Sequence, residues 1–199
     1  METALTLLRF WFGTSDDDAQ VARTQSALWW NKDQDTDATI RARFAGLLAQ
    51  AAEGELDGWL ATPHGRLALI VLTDQFPRNM YRDTPEAFAF DHLARAWCEA
   101  GLALGEDQPL RPIERVFFYL PLEHSEALED QQRAVALFEA LSKEGTASLR
   151  PILASNLDFA RRHRDIIARF GRYPHRNRIL GRTSTREETE FLREKGSSF

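Results

Sequence analysis

An all-α fold of about eight or nine helices follows from three observations on this 199-residue chain. Apolar residues recur at steps of three and four. No run of about four to eight residues alternates strictly enough to demand a strand. Capping residues (Thr, Ser, Asp) and breakers (Gly, Pro) punctuate the periodic stretches at helix-length intervals.

Taken in order, Leu5 to Phe12 is a short apolar segment compatible with helix or strand, followed by an acidic loop at Asp16 to Asp18. Ile40, Phe44, Leu47, Leu48 and Ala51 form the clearest amphipathic stripe, with Asp37 near its start and Gly54 beyond its end. Thr62 and Pro63 supply an N-cap and first-turn proline for a helix predicted to run to Phe76 and stop at Pro77. Its centre, Leu67 to Leu72, is apolar all round and belongs in the core. Thr84 and Pro85 predict a further helix through Phe88, Phe90, Leu93 and Trp97, ended by Gly101. A short helix from Pro112 is predicted to stop at Pro121. Ser125 reads as the cap of a helix through Leu128 and Leu141, with Gly145 past its end. A long helix spans roughly Leu149 to Phe170 and closes on Gly171. Thr185 and Glu188 are spaced as a capping box for a last short helix.

Nothing resembles an interdomain linker or a 20- to 50-residue repeat, so residues 1–199 read as a single domain. The composition, 43% hydrophobic and 11% aromatic, is that of an ordinary globular chain. The single cysteine, Cys98, excludes an internal disulfide and a multi-cysteine zinc site. No apolar stretch reaches the length of a membrane span, and no basic segment precedes the N-terminal apolar run, so a cytoplasmic protein without membrane contact is expected.

The net charge of -5 is unevenly divided: Met1 to Leu149 carries -11 and Arg150 to Phe199 carries +6. The two parts should attract each other. A globally acidic chain makes a poor general phosphate-backbone binder, which argues against nucleic acid as a partner. Arginine outnumbers lysine 22 to 3, and where arginines cluster their planar forks suit carboxylate or phosphate.

That clustering is densest in FGRYPHRNRILGR, Phe170 to Arg182, which places Arg172, His175, Arg176, Asn177, Arg178 and Arg182 together without an acid. Asp74 and Gln75 fall in the last predicted turn of an apolar helix, where the carbonyl ends disfavour an acid and a compensating cation is expected. Arg78 and Arg82 are the local candidates, and the Arg176 loop is the distal one. Asp91 shares a face with Ala87, Ala94 and Cys98 and reads as a structural acid near an arginine. In LEHSEALED, Ser125 and the following acids fit capping chemistry, whereas His124 is not needed for a cap. His163 continues the stripe Ala160, Ile167, Phe170 and is expected to be buried, where a core histidine is commoner than a ligand.

A serine nucleophile at Ser125 with a histidine base lacks the G-x-S-x-G elbow. No H-E-x-x-H or comparable spacing supports a metal, no P-loop or G-x-G-x-x-G is present, and the sequence names no cofactor.

The segments LTDQFPRNMYRDTPEAFAFD, ERVFFYLPLEHSE and FGRYPHRNRILGRTSTREETEFL, with RFWFG and AAEGELDGW upstream, resemble the bacterial Domain of Unknown Function 924 family along essentially the whole chain. The resemblance implies tetratricopeptide-like (TPR-like) helical packing. It also implies that Asp74, Gln75, Pro77, Arg78, Arg82, Asp91, His124, Ser125, Glu126, His163, Gly171, Arg172, Pro174, His175, Arg176 and Asn177 occupy characteristic positions, with no catalytic role attached. Thr36 stands where the family has an aromatic, and Arg186 where it has proline.

Three readings follow, and none identifies a reaction. In the first, Gln75, Arg78, Arg82, Ser125, His163, Arg172, His175, Arg176 and Asn177 line a pocket for a small phosphate- or carboxylate-bearing ligand, with His124, Glu126 and Asp74 supplying acid–base function. In the second, the helical layers present a groove to a peptide or protein partner without catalysis. The third is purely structural, with Asp74 and Asp91 pairing the basic loop to clamp the C-terminal segment onto the core.

Overall fold

The computed structural model describes residues 2–197, and among these every regular element is helical. The order is α1 (Ala4–Phe12), α2 (Asp18–Trp30), α3 (Gln34–Ala52), α4 (Pro63–Ile70), α5 (Phe76–Met80), α6 (Asp91–Leu104), α7 (Pro112–Glu123), α8 (Leu128–Leu141), α9 (Arg150–Phe170) and α10 (Arg186–Phe191). The segment left open between helix and strand is α1, capped by Thr3 in a reciprocal box with Thr6.

The core forms where the sequence is apolar on every face. Leu67, Ala68, Ile70, Val71 and Leu72 are fully buried, and so are Phe117, Phe118 and Tyr119 of α7. Helix α4 is central and packs against α1, α6 and α7, while α7, α8 and α9 pack in succession. Trp11, Phe12, Trp29, Phe76 and Phe117 meet in tilted or edge-to-face pairs that lock α1 and α2 over this centre. A smaller cluster of Ile166, Ile167 and Tyr173, with Phe170 and Phe191, seats the C-terminal segment.

Several predicted boundaries move, each for a visible reason. Pro77 does not stop its helix. The chain widens into a π turn over Val71–Gln75, so that the Phe76 amide bonds the Val71 carbonyl, and α5 continues to Met80. The wider turn spares the proline ring a clash with the preceding turn, and the Thr73 hydroxyl donates to the Leu69 carbonyl at 2.8 Å. With α4 and α5 joined, the described residues contain nine helical rods.

Gly101 likewise does not end α6, which runs on to a left-handed cap at Gly105. Gly101 is instead a packing glycine: a Cβ there would lie 2.5 Å from Arg66 Cδ and 2.6 Å from Phe118 Cζ. Thr84 and Pro85 begin a separate 3-10 turn, Pro85–Phe88, before α6 starts at Asp91. Helix α7 passes through Pro121 to Glu123. Helix α8 starts at Leu128, and Ser125 lies outside it, donating to Asp130 at 2.5 Å and accepting from the Ala127 amide. Asp33, not Asp37, caps α3. Cys98 is fully buried on the inner face of α6, where burial pushes its thiol far up from the usual range.

Candidate functional site

Six elements deliver polar side chains to one buried region. The π turn carries Asp74 and Gln75, α5 carries Arg78, and the start of α6 carries Asp91. The end of α7 carries Glu123 and His124. Helix α9 and the 3-10 turn Pro174–Arg176 add His163, His175 and Arg176. π turns of this kind recur at functional sites because they re-aim side chains within an otherwise regular rod.

Asp74 is fully buried and is satisfied on both oxygens. Oδ1 lies 2.7 Å from His124 Nδ1, and Oδ2 accepts from Gln75 Nε2 at 2.6 Å. Arg78 Nη1 is 3.4 Å from Oδ1 and also donates to the Asp74 main-chain carbonyl. Burial alone would raise this carboxyl. The Arg78 charge and the hydrogen bonds from His124 and Gln75 overcome it and hold Asp74 far below the usual range. Asp74 is therefore a carboxylate, which can only accept, so Nδ1 of His124 carries the hydrogen. The imidazole itself is held below its ordinary value by burial and by Arg78. It rests neutral, with its lone pair on Nε2, the arrangement of an oriented base.

Arg78 and Arg176 share Asp91. Arg78 forks onto Asp91 at 2.8 and 3.0 Å, and Arg176 stands 3.6 Å from the same carboxylate. The Arg176 guanidinium lies over the rings of Phe88, at 4.7 Å, and Tyr173, at 4.6 Å. Arg176 is only 7% exposed, and its sealed Nε has no hydrogen-bond acceptor among the described residues. Burial and the neighbouring Arg78 lower its pKa.

The remaining histidines close the region. The rings of His124 and His163 are 6.5 Å apart, and Tyr173 lies 5.5 Å from His163 and 5.4 Å from His175. Burial drives His163 down to about 3 and His175 to about 4, so both rest neutral. Nδ1 of His163 is 2.9 Å from the Phe159 carbonyl and 3.1 Å from Glu123 Oε1. Tyr173 Oη donates to the Glu123 main-chain carbonyl at 2.5 Å, and Gln131 Nε2 reaches the same oxygen at 2.6 Å. Carbonyls at the end of α7 are thereby satisfied.

The candidates of the sequence divide into two groups. Asp74, Gln75, Arg78, His124, His163, His175 and Arg176 converge. Arg172, Asn177, Glu126, Ser125 and Arg82 are engaged elsewhere. Arg172 forks onto Glu188, and Asn177 bonds Ser184, Glu188 and Arg182. Glu126 accepts from the Tyr173 amide at 2.8 Å and from Arg182 at 2.6 and 2.9 Å, fixing the loop as a brace. Ser125 serves Asp130. Arg82 pairs with Asp37 and lines a separate surface cavity of about 800 Å³ between α3 and α5. Glu123, Tyr173, Gln131 and Phe88 belong to the region without having been singled out. For Glu123 the legible signal was an acid closing an otherwise apolar helix. No group of three or more His, Cys, Asp or Glu suited to a metal occurs among the described residues.

The fold and this region define an all-helical protein with an internal cluster of imidazoles, carboxylates and guanidiniums. The model of the bacterial protein of unknown function DUF924 matches residues 7–196, and the chain belongs to that family. It is also similar to a solved structure, the protein of unknown function ATU0120 from Agrobacterium tumefaciens, with 39% identity, 96% of each chain covered and a TM-score of 0.81. No curated protein matches. Among the described residues no helix is long and apolar enough to cross a membrane.

Proposed function

We propose that this protein binds a small phosphate- or carboxylate-bearing molecule at the Arg176 cluster and that His124, oriented by Asp74, acts on it as a base. The observation that carries the reading is Arg176 itself. A guanidinium this deeply buried, with its nearest carboxylate oxygen beyond hydrogen-bonding distance and its Nε without an acceptor, is a donor set made ready for an anion. Its place over the Phe88 and Tyr173 rings, at 4.7 and 4.6 Å, holds the guanidinium in the cluster. The neutral His124 Nε2 in the same cluster supplies the proton acceptor, a role for which an Asp-bound imidazole is well suited.

A thermal-shift screen of phosphate- and carboxylate-bearing metabolites, with and without divalent metals, tests this. A saturating ligand at about 100 Kd stabilises the folded state by about 2.7 kcal/mol. The shift should vanish in Arg176→Ala and persist in Arg172→Ala, whose side chain is held by Glu188. A shift lost equally in both variants, or no shift with any compound, sinks the proposal.

A second reading, a TPR-like peptide- or protein-binding module, draws on a different place. A groove of about 390 Å³ between α2, α7 and α9 is lined by Trp29, Trp30, Phe117 and Ile152, with Trp30 54% exposed. Loss of a peptide or protein partner in Trp30→Ala, with the metabolite shift unchanged, would favour it.

A further inference from the structure

Six carboxyl side chains are buried among the described residues, and five of them face an arginine. Asp74 has Arg78, Asp107 has Arg115, Glu114 has Arg111, Asp130 has Arg95 and Glu188 has Arg172, all within 4 Å. Glu123 alone faces no arginine. Its ion-pair partner is the imidazole of His163, at 3.1 Å, and both side chains are more than nine-tenths buried. In a chain with 22 arginines this exception is a property of the site, not of the composition.

Apart from the His163 N–H, the described surroundings of Glu123 disfavour a negative charge. It is the last residue of α7, where the partial negative charge of the helix end collects. The Asp74 carboxylate repels it from the π turn. His124, His163 and His175 rest neutral, no arginine among the described residues pairs with the Glu123 side chain, and Tyr173 and Gln131 engage only its main-chain carbonyl. His163 offers a single hydrogen. The Phe159 carbonyl can only accept, so Nδ1 carries the proton, and that N–H is shared with Glu123 Oε1.

We propose that Glu123 is the proton donor of the site: a neutral carboxylic acid working opposite the His124 base, with His163 holding it in place. This rests on the reading of the Arg176 cluster as a ligand site. The reaction class it implies removes one proton from the bound molecule or from water and delivers one back. His124 Nε2 takes the first proton. The Glu123 oxygen not engaged by His163 gives the second to the departing or accepting atom, and the carboxylate left behind is stabilised by the same His163 N–H. Both groups return to rest by exchanging a proton with water, so the proton count closes. A carboxylic acid kept protonated near neutrality is well matched to general-acid work. Burial and Asp74 set its titration at about 8.

Carbon-13 NMR of the intact protein labelled at glutamate side-chain carboxyls tests this without any substrate. One carboxyl signal, absent from Glu123→Gln, should titrate at about 8. The competing state is a carboxylate–imidazolium ion pair. There Glu123 would titrate near or below the ordinary glutamate value of about 4.3 and His163 would titrate above its ordinary 6.5; that outcome overturns the proposal. Should Glu123→Gln fold poorly, Glu123→Asp supplies the assignment by removing the same signal. His163→Ala removes the N–H that favours the charged form, so the midpoint should move further up; a midpoint that does not move removes His163 from the positioning role. An ionised Glu123 beside a metabolite shift that needs Arg176 would defeat only this inference. A protonated Glu123 without any ligand shift would leave an acid with nothing to act on, and would overturn the donor role together with the ligand site.

Discussion

At the scale of single residues, the cluster is a set of matched charges, and its pH behaviour follows from the direction of each shift. Glu123 has a folded pKa raised above its unfolded value. Its stabilising contribution is therefore complete below about 4.3 and is lost as pH climbs toward 8. Urea titrations should show Glu123→Gln gaining on the parent protein by about 1.4 kcal/mol per pH unit across that window. His163 and His175 are shifted the other way. Their neutral forms support the fold above about 6.5, and that support drains as pH falls toward 4 and 3, so acid unfolding should begin well above the range set by ordinary carboxylates. Replacing His175 by Gln should delay it, as followed by circular dichroism. Asp74→Ala leaves the buried His124 Nδ1–H without its acceptor and Arg78 with Asp91 alone, and should cost about 1–3 kcal/mol in chemical denaturation. Asp91 competes with any anion for Arg176 and Arg78, so Asp91→Asn should tighten anion binding in calorimetry even as it weakens the fold. A purely structural ion pair predicts only the weakening. Much of this was legible in advance. An acid at the end of an apolar stretch demanded a cation, and Arg78 meets Asp74; a histidine unneeded for capping at 124 pointed to a separate role. Which distant arginine would meet which carboxylate was not legible. Arg172 and Arg176 are four residues apart in one loop, and only the turn at Pro174–Arg176 sends one inward and the other to Glu188.

At the scale of elements, caps and periodicity located most of the helices, passed over α2, and misjudged several ends. Proline and glycine were read as stops at Pro77, Pro121 and Gly101, and in each case the chain passes straight through. Local propensity lost to packing. The Pro77 rod is held by a fully buried face and relaxes by widening one turn, and Gly101 occupies a crossing where no side chain fits. Gly101→Ala should therefore destabilise, against the usual helix preference for alanine. Displacing Arg66 and Phe118 costs about 1–3 kcal/mol as overpacking, and a scanning calorimeter should record a lower Tm. A Tm that rose instead would mean the crossing has room to spare. The π turn itself has no simple sequence signature beyond a proline placed inside an apolar helix, which is why Asp74 was assigned to a helix end when it lies in mid-rod.

At the scale of the whole molecule, the charge asymmetry read from the sequence is realised as contacts. Arg176, Arg178 and Arg182 of the basic final quarter meet Asp91, Asp83 and Glu126 of the acidic body. Within that quarter, Arg172 and Asn177 converge on Glu188, tying the loop to α10. Glu188→Ala should release this segment as a unit. Hydrogen exchange over residues 172–191 should speed up about tenfold or more, while α4 and α7 keep their protection. Acid should do the same, because Arg172 holds Glu188 down at about 2 and its contribution is lost as pH falls from about 4.3 toward that value.

The lone cysteine turns this architecture into a clock. Cys98 is sealed between α6 and the central helices, and its thiol is held far from ionisation, so a thiol-reactive dye can label it only in molecules that have opened. Labelling kinetics in native buffer therefore measure how often the core parts at α6. A ligand seated among Asp91, Arg78 and Arg176, at the first turn of that same helix, should slow the labelling in proportion to its occupancy, giving an assay for unknown ligands that needs no knowledge of the reaction.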